Sequence, residues 1–462
     1  MPAYQNKPGF RTFKPGIAAL ITLIAALASS AFSQDYLGPR LDLETAVETA
    51  INANPKAKLS ETQTRTAEAK IAEAKTGKLP FVQFSQSFTR SNNPVFVFGS
   101  LLEQGRFGEA NFALNSLNHP DGLNNFRTAV DARVPLFDQR QTFARITQAK
   151  NTRSQADLES EAVRQQLRFD VVRGYFGVVL AKSMVSVYGD AVASAEANLK
   201  KTKDMVEVGF TTEADSLAAD VELANILQQQ LESESGLVMA TAELNLTLGD
   251  QPDLERELSG NLRETYFPVE EQDELIRIAL ENRPDYKHAE LDIENSRVRS
   301  KAVKDLRLPQ VSAFGNFGYS SPYITNGSSD YTVGVSLSYT LFDPGRKARI
   351  AQSAEGESAA GFKKEILADQ VRLEVIRAYQ KYKTASAKIK VSIKSIARSE
   401  EVLRITQDRY KFALATFNDV LRAEAALVRS KHDLMLSRFE YYISYASVLL
   451  ATGRLNDVSA FQ

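Results

Sequence analysis

Four short stretches of the chain alternate between apolar and polar residues. In 81–89, Val82, Phe84 and Phe88 are apolar while Gln83, Ser85, Ser87 and Thr89 are polar. In 126–136, Phe126, Val130, Ala132, Val134 and Leu136 fall on one side, and Arg127, Asp131 and Arg133 on the other. Farther on, Val311, Ala313, Phe317 and Tyr319 oppose Ser312, Asn316 and Ser320; then Tyr331, Val333, Val335, Leu337, Tyr339 and Leu341 oppose Thr332, Ser336, Ser338 and Thr340. Successive side chains of a strand point to opposite faces, so this spacing predicts strands at about 81–92, 124–137, 310–320 and 330–342, each with one apolar and one polar face.

Other stretches carry a helical pattern. No proline interrupts 139–208 or 346–411, and both are mostly Ala, Leu, Glu, Lys, Arg, Gln and Val, which predicts continuous helices. At 1.5 Å per residue each is a rod of about 100 Å, longer than a globular domain needs. A second long helix follows each, at 214–248 and 417–452. Asp138 and Asp343 stand where N-caps belong, with Pro344 at the first helical position, so the second rod is expected over 344–411.

The chain also repeats itself. Asn54-Pro55 returns as Arg283-Pro284 and Lys78-Leu79-Pro80 as Arg307-Leu308-Pro309, both 229 positions on. Leu136-Phe137-Asp138 returns as Leu341-Phe342-Asp343 after 205, and Leu248-Gly249 as Thr452-Gly453 after 204. The drop in offset places an insertion between the first two strands. Duplication with one longer loop accounts for the pattern, giving a first repeat over 34–250, a linker over 251–283, a second repeat over 284–453 and a tail over 454–462.

Composition narrows the function. With 56 basic and 57 acidic residues the net charge is -1, so no uncompensated field exists to recruit nucleic acid. Cysteine is absent, which removes thiolate metal sites, thiol nucleophiles, disulfides and the acceptor for an N-terminal lipid. Lys7, Arg11 and Lys14 precede an apolar run over 17–28 and the small residues Ser30-Ala31-Phe32-Ser33. This is the pattern of an export signal over 1–33, cut after Ser33 or Ala31. No later segment is expected to cross a membrane as a helix.

An exported chain whose strands match the 9–11 residues of a tilted membrane strand points to a β-barrel. Phe88, Phe126, Tyr331 and Tyr339 lie near strand ends, where an aromatic girdle belongs. Four strands cannot close, since membrane barrels start at 8, whereas three copies supply twelve strands with no free edge. In such a barrel the apolar faces meet outer-membrane lipid and Arg127, Asp131 and Arg133 line the lumen. The long first hairpin loop, 93–125, then lies outside the cell. Its run Val95-Phe96-Val97-Phe98 and Leu101-Leu102 reads either as a lid over the barrel mouth or as residues that only continue the strands or pack beneath the loop.

In this order, the motifs resemble the TolC-like outer-membrane efflux family. The resemblance rests on the Leu-Pro junctions at Pro80 and Pro309, the paired Leu-Phe-Asp junctions, and two helix-turn-helix tips, 208–215 and 412–421. It runs from about Leu41 to Gly453. It implies a mainly α protein with a small β part: a homotrimer whose antiparallel coiled helices form a periplasmic tunnel joined to a 12-stranded barrel, four strands per chain. It also implies partners, namely a periplasmic adaptor (membrane fusion) protein and an inner-membrane pump of the RND or ABC class, with the tips as gate and docking point. There Asp419 matches the family's first acidic gate position. Arg422 stands where some members place a second acid, Ala415 where some place a latch arginine, and Ala413 where the first tip keeps the usual glycine as Gly209. Glu213 and Asp215 are the acidic residues of the first tip; a plain helix N-terminus also favours acids at these positions.

Two rival readings remain. An envelope enzyme needs converging groups, but His119, His288 and His432 fall in a loop and on two different helices, with no phosphate loop, Gly-x-Ser-x-Gly or His-Glu-x-x-His. No catalytic residue, cofactor or metal ligand is therefore expected. A soluble periplasmic coiled-coil scaffold would keep the helices and use the hairpins as caps.

Overall fold

The computed structural model describes residues 40–461; the export segment 1–33 lies outside them. The first half builds helices α1 (Leu43–Ala53) and α2 (Pro55–Thr76) and strand β1 (Phe81–Ser91). An excursion follows, carrying α3 (Pro94–Glu103), a 3-10 turn (Glu109–Phe112) and α4 (Leu114–Asn118); then come β2 (Leu123–Asp138), α5 (Gln141–Glu207) and α6 (Glu213–Leu248). The second half builds α7 (Gln272–Asn282), α8 (Pro284–Asp305), β3 (Gln310–Ser321), β4 (Ser328–Ser338), α9 (Arg346–Lys411) and α10 (Phe417–Ala451). The protein is mainly helical, and its strands form one antiparallel sheet in the order β1-β2-β3-β4.

Several boundaries differ from the sequence reading. The stretch 251–283 is not linker throughout, because Gln272–Asn282 is α7, the counterpart of α1. In the tail, Leu455, Val458 and Phe461 fold back and are buried in the main core. β4 stops at Ser338, paired with Gln310; before Gln310 stands Pro309, which has no N–H to extend the ladder over 339–342. Asp138 and Asp343 are not N-caps. After β2 the chain turns through two left-handed residues, Gln139 (φ 59°) and Arg140 (φ 63°), and α5 starts at Gln141. The Asp138 carboxylate still accepts from the Thr142 amide at 2.6 Å. Likewise α9 begins at Arg346, so Pro344 lies in the turn before it, where Asp343 accepts from the Gly345 amide at 3.1 Å.

The helices stack into rods. α5 pairs with α6 and α9 with α10 as antiparallel hairpins, while α2 lies on α5 and α8 on both α5 and α9. The shorter partner in each hairpin is completed end to end. α6 closes at Gly249, whose φ of 86° suits a left-handed cap. There Asn54, just ahead of α2, donates its side-chain amide to the Thr247 carbonyl at 2.8 Å. A Cβ on Gly249 would stand 3.0 Å from the Ala53 carbonyl carbon, which is why the ends can approach so closely. The second repeat makes the same junction with different chemistry: Gly453 (φ 68°) closes α10, and Arg283 donates to the Ala451 carbonyl at 3.3 Å. A cation there also complements the C-terminal end of the α10 dipole.

The main core lies midway along α5. Val171, Val172, Tyr175, Phe176, Val178 and Val179 meet α1, the end of α6 and an aromatic group on α10. Phe267 stacks on Tyr445 with ring centres 4.4 Å apart and packs edge-on to Tyr442 at 5.0 Å. Its amide donates to the Tyr441 hydroxyl at 3.1 Å and its carbonyl accepts from Tyr382. This corrects one expectation. α5 does contain a window long and apolar enough to cross a membrane by length and composition, with a third of that window buried.

Candidate functional site

The sheet sorts its residues by chemistry. Directly opposed residues of antiparallel strands share a face. The register Phe84↔Val130↔Phe317↔Tyr331, with Val82↔Ala132↔Gly315↔Val333 and Ala313↔Val335, collects most apolar positions of all four strands on one side. A bulge between Pro135 and Phe137 changes one assignment: Phe137, not Leu136, sits opposite Val311. This face is bare in the single chain, with Val333 75%, Leu337 68% and Phe84 66% exposed. So much contiguous apolar surface on a soluble sheet would have a cover. Phe88 and Phe126 pack with ring centres 4.7 Å apart, tilted by 40°, toward one end. Both β1 and β4 are open edges.

The opposite face is mainly polar, with Phe81 and Phe314 beside Arg133 toward one end. Arg127 on β2 reaches over β3 to make two 3.1 Å bonds with the Asp330 carboxylate, and it also donates to Ser320 at 2.9 Å and Glu103 at 3.2 Å. Gly318 permits this crossing, since a Cβ there would lie 2.6 Å from the guanidinium. Asp131 accepts from Asn316 at 2.7 Å. Arg133, exposed, pairs in register with Phe81 and Phe314. The three sequence-predicted residues therefore share one face, but only Arg127 is clamped. Asp330 was legible as a polar strand position; Glu103 was not, because it comes from the inserted excursion.

At the far end of the rods lie the two tips, side by side, with Leu199, Ala219 and Phe417 forming a small core beneath them. α5 ends in a turn with Gly209 left-handed, the Gly209 amide bonded to the Val206 carbonyl and the Phe210 amide to that of Met205. α9 ends the same way, with Ala413 in the glycine's place and bonds to Tyr410 and Arg409. Both following helices start with reciprocal caps. Thr212 accepts from the Asp215 amide at 3.4 Å and the Thr211 hydroxyl donates to the Asp215 carboxylate at 2.6 Å. Thr416 gives its amide (2.9 Å) and hydroxyl (2.7 Å) to the Asp419 carboxylate. Both acids are thereby held below the usual carboxylate range: Asp215 chiefly by the Thr211 hydroxyl, Asp419 by the Thr416 hydroxyl and then its amide. Glu213 is the first residue of α6. Arg422 is exposed and makes no salt bridge to Asp419 within the chain, although its charge helps to lower that acid.

Just above the tips, Asn198 of α5 donates to Glu424 of α10 at 2.6 Å, and burial pushes the Glu424 carboxyl up. The sequence offers no signal for this contact, because a polar residue on a long helix does not announce its partner. The histidines do not converge: His288 meets Glu159 and Asp292 at 3.3 and 3.4 Å, His432 adjoins Asp433 at 3.4 Å, and His119 closes α4.

A lipid-compatible strand face, a polar reverse face, open edges and rods of about 100 Å define one protomer of a membrane channel with a long helical extension. Comparison with known proteins agrees. The family model described as "Outer membrane efflux protein" matches residues 46–250 and 275–454. The outer membrane protein TolC of Vibrio cholerae serotype O1 is 21% identical over 327 residues, covering 69% of this chain and 75% of TolC. Among solved structures, CusC superposes with a TM-score of 0.76 at 15% identity, covering 92% of this chain and 95% of its own. The CmeC outer membrane channel of Campylobacter jejuni does so at 0.73 and 16%, covering 98% and 94%. The chain belongs to the outer membrane efflux protein family. It is a channel protein of the outer membrane, an exit duct whose helices extend into the periplasm.

Proposed function

We propose that three copies assemble into a duct with a twelve-stranded barrel, four strands from each chain, and a periplasmic tunnel built from α5, α6, α9 and α10. The observation that carries this is the bare apolar face combined with two unpaired edges: the face needs lipid, and the edges need neighbours. Arg127, Asp131 and Arg133 then line the barrel lumen. The tips, with Gly209, Glu213, Asp215, Asp419 and Arg422, form the periplasmic constriction and meet an adaptor (membrane fusion) protein, which connects the duct to an inner-membrane pump of the RND or ABC class. Conduction is passive; the pump supplies energy and chooses the cargo. Mass measurement in mild detergent tests the assembly, with a trimer expected. A monomer or dimer would overturn it, and a chain that stays monodisperse without detergent would favour the soluble scaffold.

A further inference from the structure

The excursion between β1 and β2 folds onto the polar face of the sheet. α3 packs on β2, β3 and β4. Beyond its last turn, Gln104, nearly fully buried, donates to the Asn124 carbonyl and the Asn125 side chain, both at 2.9 Å. Glu103 accepts from Arg127 and from Ser320, each at 3.2 Å. Gly105, left-handed at φ 66°, would bring a Cβ within 3.4 Å of Ser328. Asn125, Arg127 and Ser320 all belong to the polar face in the strand register.

The two sides of α3 are unlike. Val97 and Ser100 are buried, whereas Val95, Phe98 and Leu102, at helical spacings of three and four, are 81%, 38% and 52% exposed. Phe98 extends the apolar side through edge-to-face contacts with Phe107 at 4.9 Å, which in turn meets Phe112 at 5.1 Å. A helix anchored by polar bonds to a lumenal wall, with its apolar side turned away from that wall, directs that side toward the channel axis.

We propose that the apolar side of α3 docks against the same helix of the two neighbouring copies and closes the outer mouth of the barrel with an apolar plug. This rests on the trimeric reading above. The occupant is a second copy because α3 leaves the edge strand β1 and reaches across to β4, the other edge, so it spans the protomer between its two intersubunit borders. Twelve strands about 4.8 Å apart and tilted about 40° enclose a backbone radius of roughly 12 Å, so a helix about 10 Å across that projects inward from the wall reaches the neighbourhood of the axis. An apolar constriction of this kind excludes ions by dewetting. The Glu103–Arg127–Asp330 clamp holds each helix against the wall.

The absence of cysteine makes the test specific. Leu102→Cys and Val95→Cys, each alone, should give disulfide-linked dimers within detergent-purified trimers on oxidation, while Val333→Cys on the lipid side should not. Deleting residues 95–102, or changing Glu103→Gln, should leave the trimer mass intact and raise single-channel conductance at least about twofold in planar bilayers. A trimeric mass with neither cross-link nor conductance change sinks the plug alone. A monomeric mass sinks the trimeric reading and the plug with it.

Discussion

Ala413 holds a left-handed backbone, φ 54°, at the position where Gly209 holds φ 77° in the equivalent turn of the first repeat. Both turns close a rod with the same pair of hydrogen bonds, so the geometry has been kept while the residue suited to it has been lost from one copy. An L-residue in this region costs about 1–2 kcal/mol relative to the right-handed form, a penalty glycine escapes. Ala413→Gly should therefore stabilise the second tip by about 1 kcal/mol, and Gly209→Ala should weaken the first by a similar amount. Hydrogen exchange at the amides of 412–420 and 208–216 reads each tip separately. Unchanged protection in Ala413→Gly would mean that the turn has relaxed in solution.

A second prediction concerns the junction of α10 and α8. Arg283, largely buried, bonds the Asp285 carboxylate at 2.6 and 3.0 Å, Glu374 at 2.6 Å and the Ala451 carbonyl. Burial pushes the Asp285 carboxyl up, but its bonds and charge attraction to Arg283 outweigh that and hold it below the usual range. The stabilisation is therefore complete above the unfolded carboxyl value, about 3.9, and is lost as pH falls through the lower folded value. Arg283→Ala, which leaves the partly exposed Asp285 and Glu374 carboxylates without their partner, should cost about 2 kcal/mol at pH 7 and less near pH 3. Thermal unfolding of the detergent-solubilised protein at both pH values checks this; an equal loss at both would assign the effect to packing alone.

The strands, the rods and the duplication were legible because each rests on local periodicity or self-similarity. The register that puts Phe84, Val130, Phe317 and Tyr331 on one face follows once the strands pair in chain order. What sequence could not supply were contacts made at long range. Asn54 and Arg283 occupy equivalent positions and bond equivalent carbonyls, Thr247 and Ala451, yet an amide and a guanidinium share no sequence signature. Glu103 reaches Arg127 from an insertion without a counterpart in the second repeat, so the repeat gave no template for it. Asp343-Pro344 resembles a helix start, whereas here it forms the corner between sheet and rod and α9 begins at Arg346.

The last prediction separates two roles of Asp419. Its carboxylate caps α10 through Thr416 and, with its affinity for protons lowered, stays charged at neutral pH. In a trimer, three copies near the axis would form a negative ring attracting cations. Alanine removes both cap and charge, but asparagine keeps an acceptor suited to the cap and loses only the charge. Asp419→Asn should therefore retain hydrogen-exchange protection at the start of α10 while cation selectivity falls; Asp419→Ala should lose both. Arg422→Ala, which removes the nearby cation, should strengthen cation selectivity and favour opening. Wild-type selectivity should persist from pH 7 to pH 5 and fade only below about pH 4, as the carboxylate protonates. All these differences should shrink in 1 M salt, where the Debye length is about 3 Å. Single-channel recording with tip hydrogen exchange decides it: undiminished selectivity in Asp419→Asn would place the constriction elsewhere and leave Asp419 as a cap.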